Sequence, residues 1–430
     1  MNEQTINKTK EVLRNHIKGI VYGQALGDAV GLQMEFKSKL KIGENISEKI
    51  IYPYKEPIRD FPLCDYTDDT DQMILLLDMI IESDHNFYEG TLEERDINNF
   101  ADKLLRWKLE GFPELGDTRG NGLGGATNLV LNHKEFLKSP IDASREVWNG
   151  SGKKIAANGA IMRTSILSIL NIYKFLREPL TIHQDFYRSI RSICLTTHYD
   201  ARCIISCWML CYLIQRVLLF SINRDSKSII NTKINAYKTF TYLLKMIPLS
   251  HYPSSEKIKE LRHQPVPDFY AEEEFFNEKG IYLPENELLR YCKTGLTNLN
   301  LDESSKRGYT YKCLGCAFWV MDIISTHEKV KLRNNEITKT KDKNEETKNK
   351  KENEETKNKK EKSENKLSFE KIIIKIVSEG GDADTNAAVA GSLLGAYLGY
   401  EELPKKWLEA LPNKEWLNQK IEKLFKKMQL

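Results

Sequence analysis

Residues 19–31 read GIVYGQALGDAVG and residues 391–399 read GSLLGAYLG, so glycine occupies every fourth position in both stretches. On a helix this spacing leaves a bare stripe along one face, where a second backbone can approach closely. Each glycine inside a helix costs roughly 1 kcal/mol relative to alanine, so close packing must offset the loss. We therefore predict two central helices that pack tightly, each beside an acidic motif.

The rest of the chain has the pattern of an all-α protein. Apolar runs with helical length and spacing cover residues 74–81, 204–220, 311–324 and 387–400, whereas strictly alternating runs are sparse. With 430 residues, of which 40% are hydrophobic, the chain can bury a substantial core. We predict a compact, orthogonal all-α bundle as a single domain over residues 15–400, followed by a helical C-terminal extension over residues 401–430.

Residues 331–366 differ in composition from the rest of the chain. The unit NEETKNKKE occurs at 344–352 and again, unchanged, at 353–361. Because this segment has almost no apolar residues, we predict a disordered or transiently helical insert that interrupts the domain, and a solvated spacer is favoured over a nucleic-acid or partner tail. Its 13 basic and 9 acidic residues account for the positive net charge, so the remaining chain gives no argument for a nucleic-acid partner.

The N-terminal residues 1–18 are polar and mixed in charge, with no apolar signal core. We expect no apolar stretch to be long enough to span a bilayer, and Lys18 and Asp28 count against a membrane helix pair at the glycine stripes. We expect a cytoplasmic monomer without a membrane partner, with the nucleus as the alternative location. The eight cysteines are expected to pack in the core, and for Cys313 and Cys316 redox or metal chemistry is the alternative.

Two acidic motifs, TDDT at 67–70 and GDADT at 381–385, lie more than 300 residues apart, and each precedes an apolar helical run. Helix capping explains only one or two of these side chains, because a single helix start needs one cap. Like charges repel, so a fold that brings the motifs together needs a cation. All-oxygen ligands suit Mg²⁺ or Mn²⁺ better than zinc or copper. We predict a hydrolase with a shared site for two such ions.

Three further motifs suit a sugar-phosphate substrate. The loop GNGLGGAT at 120–127 offers exposed amides at Gly122 and Gly124 for a phosphate, although a flexible turn explains it equally well. The stretch NGAIMR at 158–163 places an amide, a bare backbone and an arginine around a helix start. His198 lies in the sequence THYD at 197–200, where a structural role is equally consistent with the pattern.

In their order along the chain, these motifs resemble those of the ADP-ribosylglycohydrolase family, which includes the dinitrogenase-reductase-activating glycohydrolases. The resemblance covers residues 20–325 and 367–400 and is carried by Asp28, Glu35, Thr67 to Thr70, Asn158, Gly159, Met162, Arg163, Thr197, His198 and Gly380 to Thr385. It implies a compact all-α bundle with a binuclear magnesium centre. The chain departs from the family pattern at residues 331–366 and at residues 150–157, a stretch that is longer and more basic than the pattern.

Carried over residue by residue, the resemblance implies a set of roles. The implied metal ligands are Thr67, Asp68, Asp69, Asp382, Asp384 and Thr385. Glu35 matches a family glutamate that is either a ligand or an acid–base group, and proton transfer falls to Glu35 or to the carboxylates Asp68, Asp69 and Asp382. The loop with Asn158, Gly159, Met162 and Arg163 resembles the one that receives ADP-ribose, and His198 matches a family site histidine.

The reaction implied by the resemblance is cleavage of the glycosidic bond at the anomeric carbon of a protein-linked ADP-ribose, with two Mg²⁺ ions or with Mn²⁺. Hydrolysis of free ADP-ribose derivatives such as O-acetyl-ADP-ribose is one alternative. A family member that binds ADP-ribose without catalysis is the other. The linkage that is cleaved, through serine, arginine or another residue, stays open at the level of sequence.

Overall fold

The regular secondary structure in the described part of the chain is helical, and two isolated β-bridges are the only extended pairing there. The computed structural model describes residues 3–41, 43–179, 183–233, 235–236, 284–344 and 367–430. Its first α-helices are α1 (Glu3–Gly31), α2 (Ile46–Lys49), α3 (Asp68–Glu82), α4 (Glu94–Glu110), α5 (Gly125–Leu131) and α6 (Pro140–Gly150), followed by a 3-10 helix (Ile161–Ile169). Then come α7 (Ile172–Arg177), α8 (Gln184–Leu195), α9 (Ala201–Asn223), α10 (Ser226–Ile230), α11 (Pro284–Lys293), α12 (Thr310–Asn344), α13 (Phe369–Val377), α14 (Ala383–Leu398), α15 (Lys405–Ala410) and α16 (Lys414–Met428). The predicted all-α class is confirmed.

Helices α1 and α14 run antiparallel with their backbones in direct contact. A Cβ built on Gly19 would lie 2.3 Å from the carbonyl oxygen of Gly395, and one built on Gly27 would lie 2.1 Å from that of Ala387. No side chain larger than hydrogen fits at such a distance. We call this contact the glycine seam. It confirms the predicted pair of tightly packed helices, and α14 also packs against α9, α12 and α13 in the centre of the protein.

Helix α9 is long and apolar enough to cross a membrane by length and composition, so the expectation that no stretch is long enough was wrong. However, 94% of its 18-residue apolar window is buried inside the protein, where it packs against α8, α12, α14 and the 3-10 helix. Its apolar surface is therefore explained by packing within this chain. All eight cysteines are buried, Cys313 and Cys316 included, as core packing predicts.

The structure is continuous across two predicted boundaries, the start of the insert at residue 331 and the end of the domain at residue 400. Residues 331–344 of the predicted insert continue α12, which is one of the two predicted states, and residues 345–366 lie outside the described residues, so their disorder stays a prediction. At the other boundary, Leu417, Ile421 and Phe425 of α16 are buried in the same apolar cluster as the helices before residue 400. The predicted C-terminal extension is therefore part of the common core.

Candidate metal centre and substrate cleft

The first turns of α3 and α14 lie side by side at one end of the glycine seam. The hydroxyl of Thr385 on α14 is 3.2 Å from Oδ2 of Asp69 on α3. A Cβ built on Gly31, the last residue of α1, would lie 2.3 Å from the Cα of Asp384. The two acidic motifs, distant in sequence, therefore converge as predicted.

Two groups of carboxylates form where the motifs meet. Ligand oxygens of Asp28, Asp69 and Asp384 lie within 4.8 Å of one another, and so do those of Glu35, Asp382 and Asp384. Asp384 belongs to both groups, and Glu35 alone among the five is partly exposed. Two oxygen clusters that share a carboxylate can hold two hard cations side by side.

The donor set at this centre fits a divalent cation. Oδ1 of Asp69 is buried and has no hydrogen-bond partner among the described residues, so this oxygen is available to a cation. Burial, followed by neighbouring carboxylates, raises the pKa of Asp68, Asp69 and Asp384 well above the ordinary value. Buried like charges of this kind require neutralisation by protons or cations. Oxygen donors without sulfur or imidazole select a hard cation.

Asp28 is a central residue to which the sequence analysis gave no role. It is fully buried on α1, and its Oδ2 accepts hydrogen bonds from the backbone N–H groups of Thr67 and Thr70 at 3.0 Å each and from the Thr70 hydroxyl at 2.6 Å. These bonds fix the start of α3. Burial raises the pKa of Asp28 to about 6, although the same hydrogen bonds oppose the shift. A carboxylate within the glycine-rich stretch of residues 19–31 was the signal available in the sequence.

Three further predicted ligands, Thr67, Asp68 and Thr385, lie close to the two carboxylate groups. The Thr67 hydroxyl is 2.9 Å from Oδ1 of Asp28 and 3.1 Å from Oδ2 of Asp69. Asp68 is held by the Gln72 amide, whose Nε2 donates to its Oδ2 at 2.9 Å. The structure brings these oxygens to the centre, and their role as ligands stays a prediction.

Glu35 lies at the opening of the centre. Its carboxylate pairs with the guanidinium of Arg59, and 13% of its side chain is exposed. Burial raises the pKa of Glu35, while the hydrogen bond and the charge of Arg59 oppose the shift. The N–H of Phe36 donates to the carbonyl of Gly381 at 2.6 Å, which ties this end of α1 to the loop before α14. Sequence reasoning did not identify Arg59, because nothing local marks its loop as a neighbour of Glu35.

The glycine loop at 120–127 lies against Asp68. Gly122 is exposed with φ +88°, and a Cβ built on it would lie 2.7 Å from Oδ1 of Asp68. The backbone N–H of Gly124 also acts on this carboxylate, where it opposes the rise in the pKa of Asp68. The loop therefore borders the metal centre, and its predicted contact with a phosphate stays a prediction.

The loop before the 3-10 helix lies on another side of the metal centre, and we call the region between this loop and the 120–127 loop the cleft. Nδ2 of Asn158 donates to Oδ2 of Asp382 at 2.7 Å, and the backbone N–H of Asn158 donates to the carbonyl of Gly308 at 2.9 Å. Gly159 is half-buried beside His198. Unlike the half-buried Gly159, Met162 has a buried side chain, and its carbonyl accepts a hydrogen bond from Gln24 in the core.

Comparison with known proteins identifies the architecture. Residues 9–430 match the model of the ADP-ribosylglycohydrolase family. The chain belongs to this family. It is 24% identical to the ADP-ribosylarginine hydrolase Tri1 of Serratia proteamaculans over 95% of this chain and 78% of that protein. Membership supports hydrolysis of ADP-ribose linkages as the chemistry of this ADP-ribosylglycohydrolase.

Shorter matches and one solved structure agree with this assignment. The ADP-ribosyl-dinitrogen reductase glycohydrolase of Rhodospirillum rubrum is 45% identical over 47 residues, which are 11% of this chain and 16% of that protein. The human ADP-ribosylhydrolase ARH3 is 35% identical over 63 residues, 14% of this chain and 17% of that protein. A structure named as an ADP-ribosylglycohydrolase-related protein complex superimposes with a TM-score of 0.54 and 20% identity, covering 97% of this chain and 99% of the other, and shows the shared fold.

In this ADP-ribosylglycohydrolase, Arg163 lies beneath the cleft and not in it. Its side chain is 0% exposed, and the guanidinium donates to Oε1 of Gln72 at 2.8 Å and to the Thr197 hydroxyl at 2.6 Å. It has no surface for a substrate, contrary to the prediction, because α3 and the segment before α9 enclose it. His198 is also buried, and burial, followed by the charge of Arg163, lowers its pKa to about 3, so its imidazole is neutral.

Proposed function

We propose that this chain removes ADP-ribose from modified proteins by Mg²⁺-dependent hydrolysis of the glycosidic bond at the anomeric carbon. The observation that carries the proposal is the pair of carboxylate groups that share Asp384, at the edge of the cleft formed by the 120–127 loop and by Asn158 and Gly159. Family membership supplies the ADP-ribose chemistry. The donor set supplies the preference for a hard cation.

Each carboxylate group has a place for one ion. Asp28, Asp69 and Asp384 would hold the first ion, and Glu35, Asp382 and Asp384 the second. When bound, such ions lower the pKa of a water molecule and orient the ribose hydroxyls. Mn²⁺ satisfies the same oxygen donors.

Side chains of the protein orient the carboxylates and transfer the proton. Asn158 holds Asp382 through the 2.7 Å bond to Oδ2, so this carboxylate keeps one rotamer. Glu35 is the carboxylate at the opening, and it takes the proton from the attacking water. The water oxygen then bonds to the anomeric carbon, the bond to the modified protein breaks with its electron pair, and the proton passes to the leaving group. An oxocarbenium-like transition state is expected, as in other glycosidic cleavages.

Arginine-linked ADP-ribose is the substrate we propose to test first. The relative that aligns with 95% of this chain is named as an ADP-ribosylarginine hydrolase. The experiment measures ADP-ribose release from arginine-modified and serine-modified proteins and from O-acetyl-ADP-ribose, with Mg²⁺ and with EDTA. Release from the arginine-modified protein that stops in EDTA supports the proposal. Calorimetric binding of ADP-ribose without release from any substrate would identify a binding protein instead.

A pair of variants tests the carboxylate groups themselves. Asp384→Asn removes the shared carboxylate, and we expect turnover to fall by more than ~100-fold. Asp71→Asn is the matched control, because Asp71 lies in the same turn as Asp69, binds the indole of Trp107 at 3.0 Å and belongs to neither group. Near-normal turnover in Asp384→Asn at low Mg²⁺ would overturn the assignment.

A further inference from the structure

Four buried side chains beneath the cleft form a continuous hydrogen-bond chain. Nη1 of Arg163 donates to Oε1 of Gln72, and Nη2 donates to the Thr197 hydroxyl. Oγ1 of Thr197 lies 2.8 Å from Nδ1 of His198. At its other end the chain reaches the metal centre, because Nε2 of Gln72 binds Asp68. All of these side chains are at most 3% exposed, apart from Asp68 at 8%.

The direction of each bond in this chain is fixed by Arg163. A guanidinium can only donate, so Oγ1 of Thr197 must accept from it. The hydroxyl hydrogen of Thr197 then needs an acceptor, and Nδ1 of His198 is the one available among the described residues. A proton on Nδ1 would leave this hydrogen buried without a partner, at the cost of a lost hydrogen bond. Nδ1 therefore accepts, and the neutral ring carries its proton on Nε2.

The Nε2 atom of His198 faces the loop that borders the cleft. It is buried and has no hydrogen-bond partner within the described residues. It lies 3.2 Å from the position that a Cβ on Gly159 would occupy, and the Thr127 hydroxyl is 3.1 Å from the same position. The absence of a side chain at Gly159 thus leaves room in front of an N–H donor. A buried donor of this kind calls for an acceptor oxygen from a ligand.

We propose that Arg163 and Thr197 are positioning residues that hold His198 with its proton on Nε2, so that His198 donates a hydrogen bond to an oxygen of bound ADP-ribose. This inference rests on the proposed function for the identity of the ligand. It assigns Arg163 an indirect role in place of the substrate contact suggested by its motif. It also joins the metal centre to the ligand side of the cleft, because Gln72 is held by Asp68 and by Arg163 at once.

The tautomer is measured directly on the full-length protein. In ¹⁵N-histidine-labelled protein without substrate, the two-bond ¹⁵N–¹H correlations of His198, assigned with His198→Gln, should show the Nε2–H form at neutral pH. Thr197→Val should abolish this single pattern, whereas Thr197→Ser should restore it. Thr196→Val is the matched control, because the buried Thr196 hydroxyl binds only the carbonyl of Ile193, at 2.7 Å, among the described residues.

Binding of ADP-ribose supplies the second measurement. By calorimetry, Thr197→Val should weaken affinity about tenfold, with Thr197→Ser and Thr196→Val within about twofold of the wild type. A proton found on Nδ1 in the wild type would overturn the inference, and so would Thr197→Val with wild-type tautomer and affinity. Loss of turnover on every substrate, with tautomer and affinity as expected, would instead remove the hydrolase proposal and leave the positioning role intact.

Discussion

The start of α3 and the start of α14 present the same carboxylate chemistry but are held in place by different forces. At α3, the carboxylate of Asp28 accepts the backbone N–H groups of Thr67 and Thr70, so hydrogen bonds fix the turn. At α14, Asp382 makes no side-chain capping bond; its carboxylate accepts the Asn158 amide instead, and the backbone of the turn is in direct contact with Gly31. A turn held by several hydrogen bonds can keep its position when one of them is lost. A turn in direct backbone contact with its neighbour cannot accommodate an added side-chain atom. The variants below test this difference.

The largest effect is expected for Gly31→Ala. The new methyl group would lie 2.3 Å from the Cα of Asp384 and 2.5 Å from the carbonyl oxygen of Ala383, so the two helices must separate. We expect a loss of at least ~2 kcal/mol in the free energy of unfolding, measured in urea, and a fall of more than ~10-fold in Mg²⁺ affinity. Gly125→Ala is the control, because this helical glycine has no atom within 4 Å of its Cβ position. Equal stability of the two variants would refute the role given to backbone contact.

Asp28→Asn should have the next largest effect. The amide keeps the size of the carboxylate but turns one acceptor oxygen into a donor facing the Thr67 and Thr70 groups. We expect a loss of about 1–3 kcal/mol in stability together with weaker Mg²⁺ binding. Asp71→Asn serves again as the control on α3. If Asp28→Asn proves as stable as wild type in EDTA, hydrogen bonds do not anchor this turn.

Asp382→Asn separates cation binding from stability. The asparagine Oδ1 still accepts the bond from Asn158, and the change removes one of the charges that raise the pKa of Asp384. In EDTA the free energy of unfolding should therefore be unchanged or higher, while Mg²⁺ affinity measured by calorimetry falls by more than ~10-fold. A loss above ~1 kcal/mol in EDTA would mean that side-chain bonds, and not the backbone, hold the start of α14.

The smallest effect is expected for Arg59→Gln. Arg59 is 46% exposed, so its pair with Glu35 contributes at most ~1 kcal/mol to stability. Because the guanidinium competes with a cation for the Glu35 carboxylate, its removal should raise Mg²⁺ affinity by up to ~5-fold. Arg95→Gln, which breaks an exposed pair with Asp84 outside the carboxylate groups, should leave the affinity unchanged. Weaker Mg²⁺ binding in Arg59→Gln would show that Arg59 orients Glu35 and does not compete for it.

The fold was largely predictable because its organising contact is periodic in sequence. Glycine at every fourth position predicted the seam, and the acidic motifs at the helix starts predicted where the centre would lie. The apolar run at residues 204–220 was recognised, but the expectation that it is too short for a membrane span was wrong, because α9 extends from Ala201 to Asn223 and meets that length. The start predicted for the insert, residue 331, lies inside α12, since polar composition alone does not end a helix.

Most carboxylates of the site could be predicted from the sequence, but the residues that hold them in place could not. Asp69, Asp382 and Asp384 stand out by local pattern, whereas the partners that orient them come from distant segments. The pairing of Asp28 with the start of α3 spans 39 residues, and that of Asn158 with Asp382 spans 224. Arg163 has the residue type of a phosphate contact, and only the packing around it shows that it is enclosed.

The glycine seam also acts at a distance. Helix α14 has 16 residues and a length of ~24 Å, with Gly395 near one end and Asp384 at the other. Since the seam contains no side chain that could change its rotamer, we expect a bulky group beside Gly395 to tilt α14 and to displace Asp384 at its other end. Substitutions at Gly19 or Gly395 should therefore weaken cation binding although they lie far from the carboxylate groups.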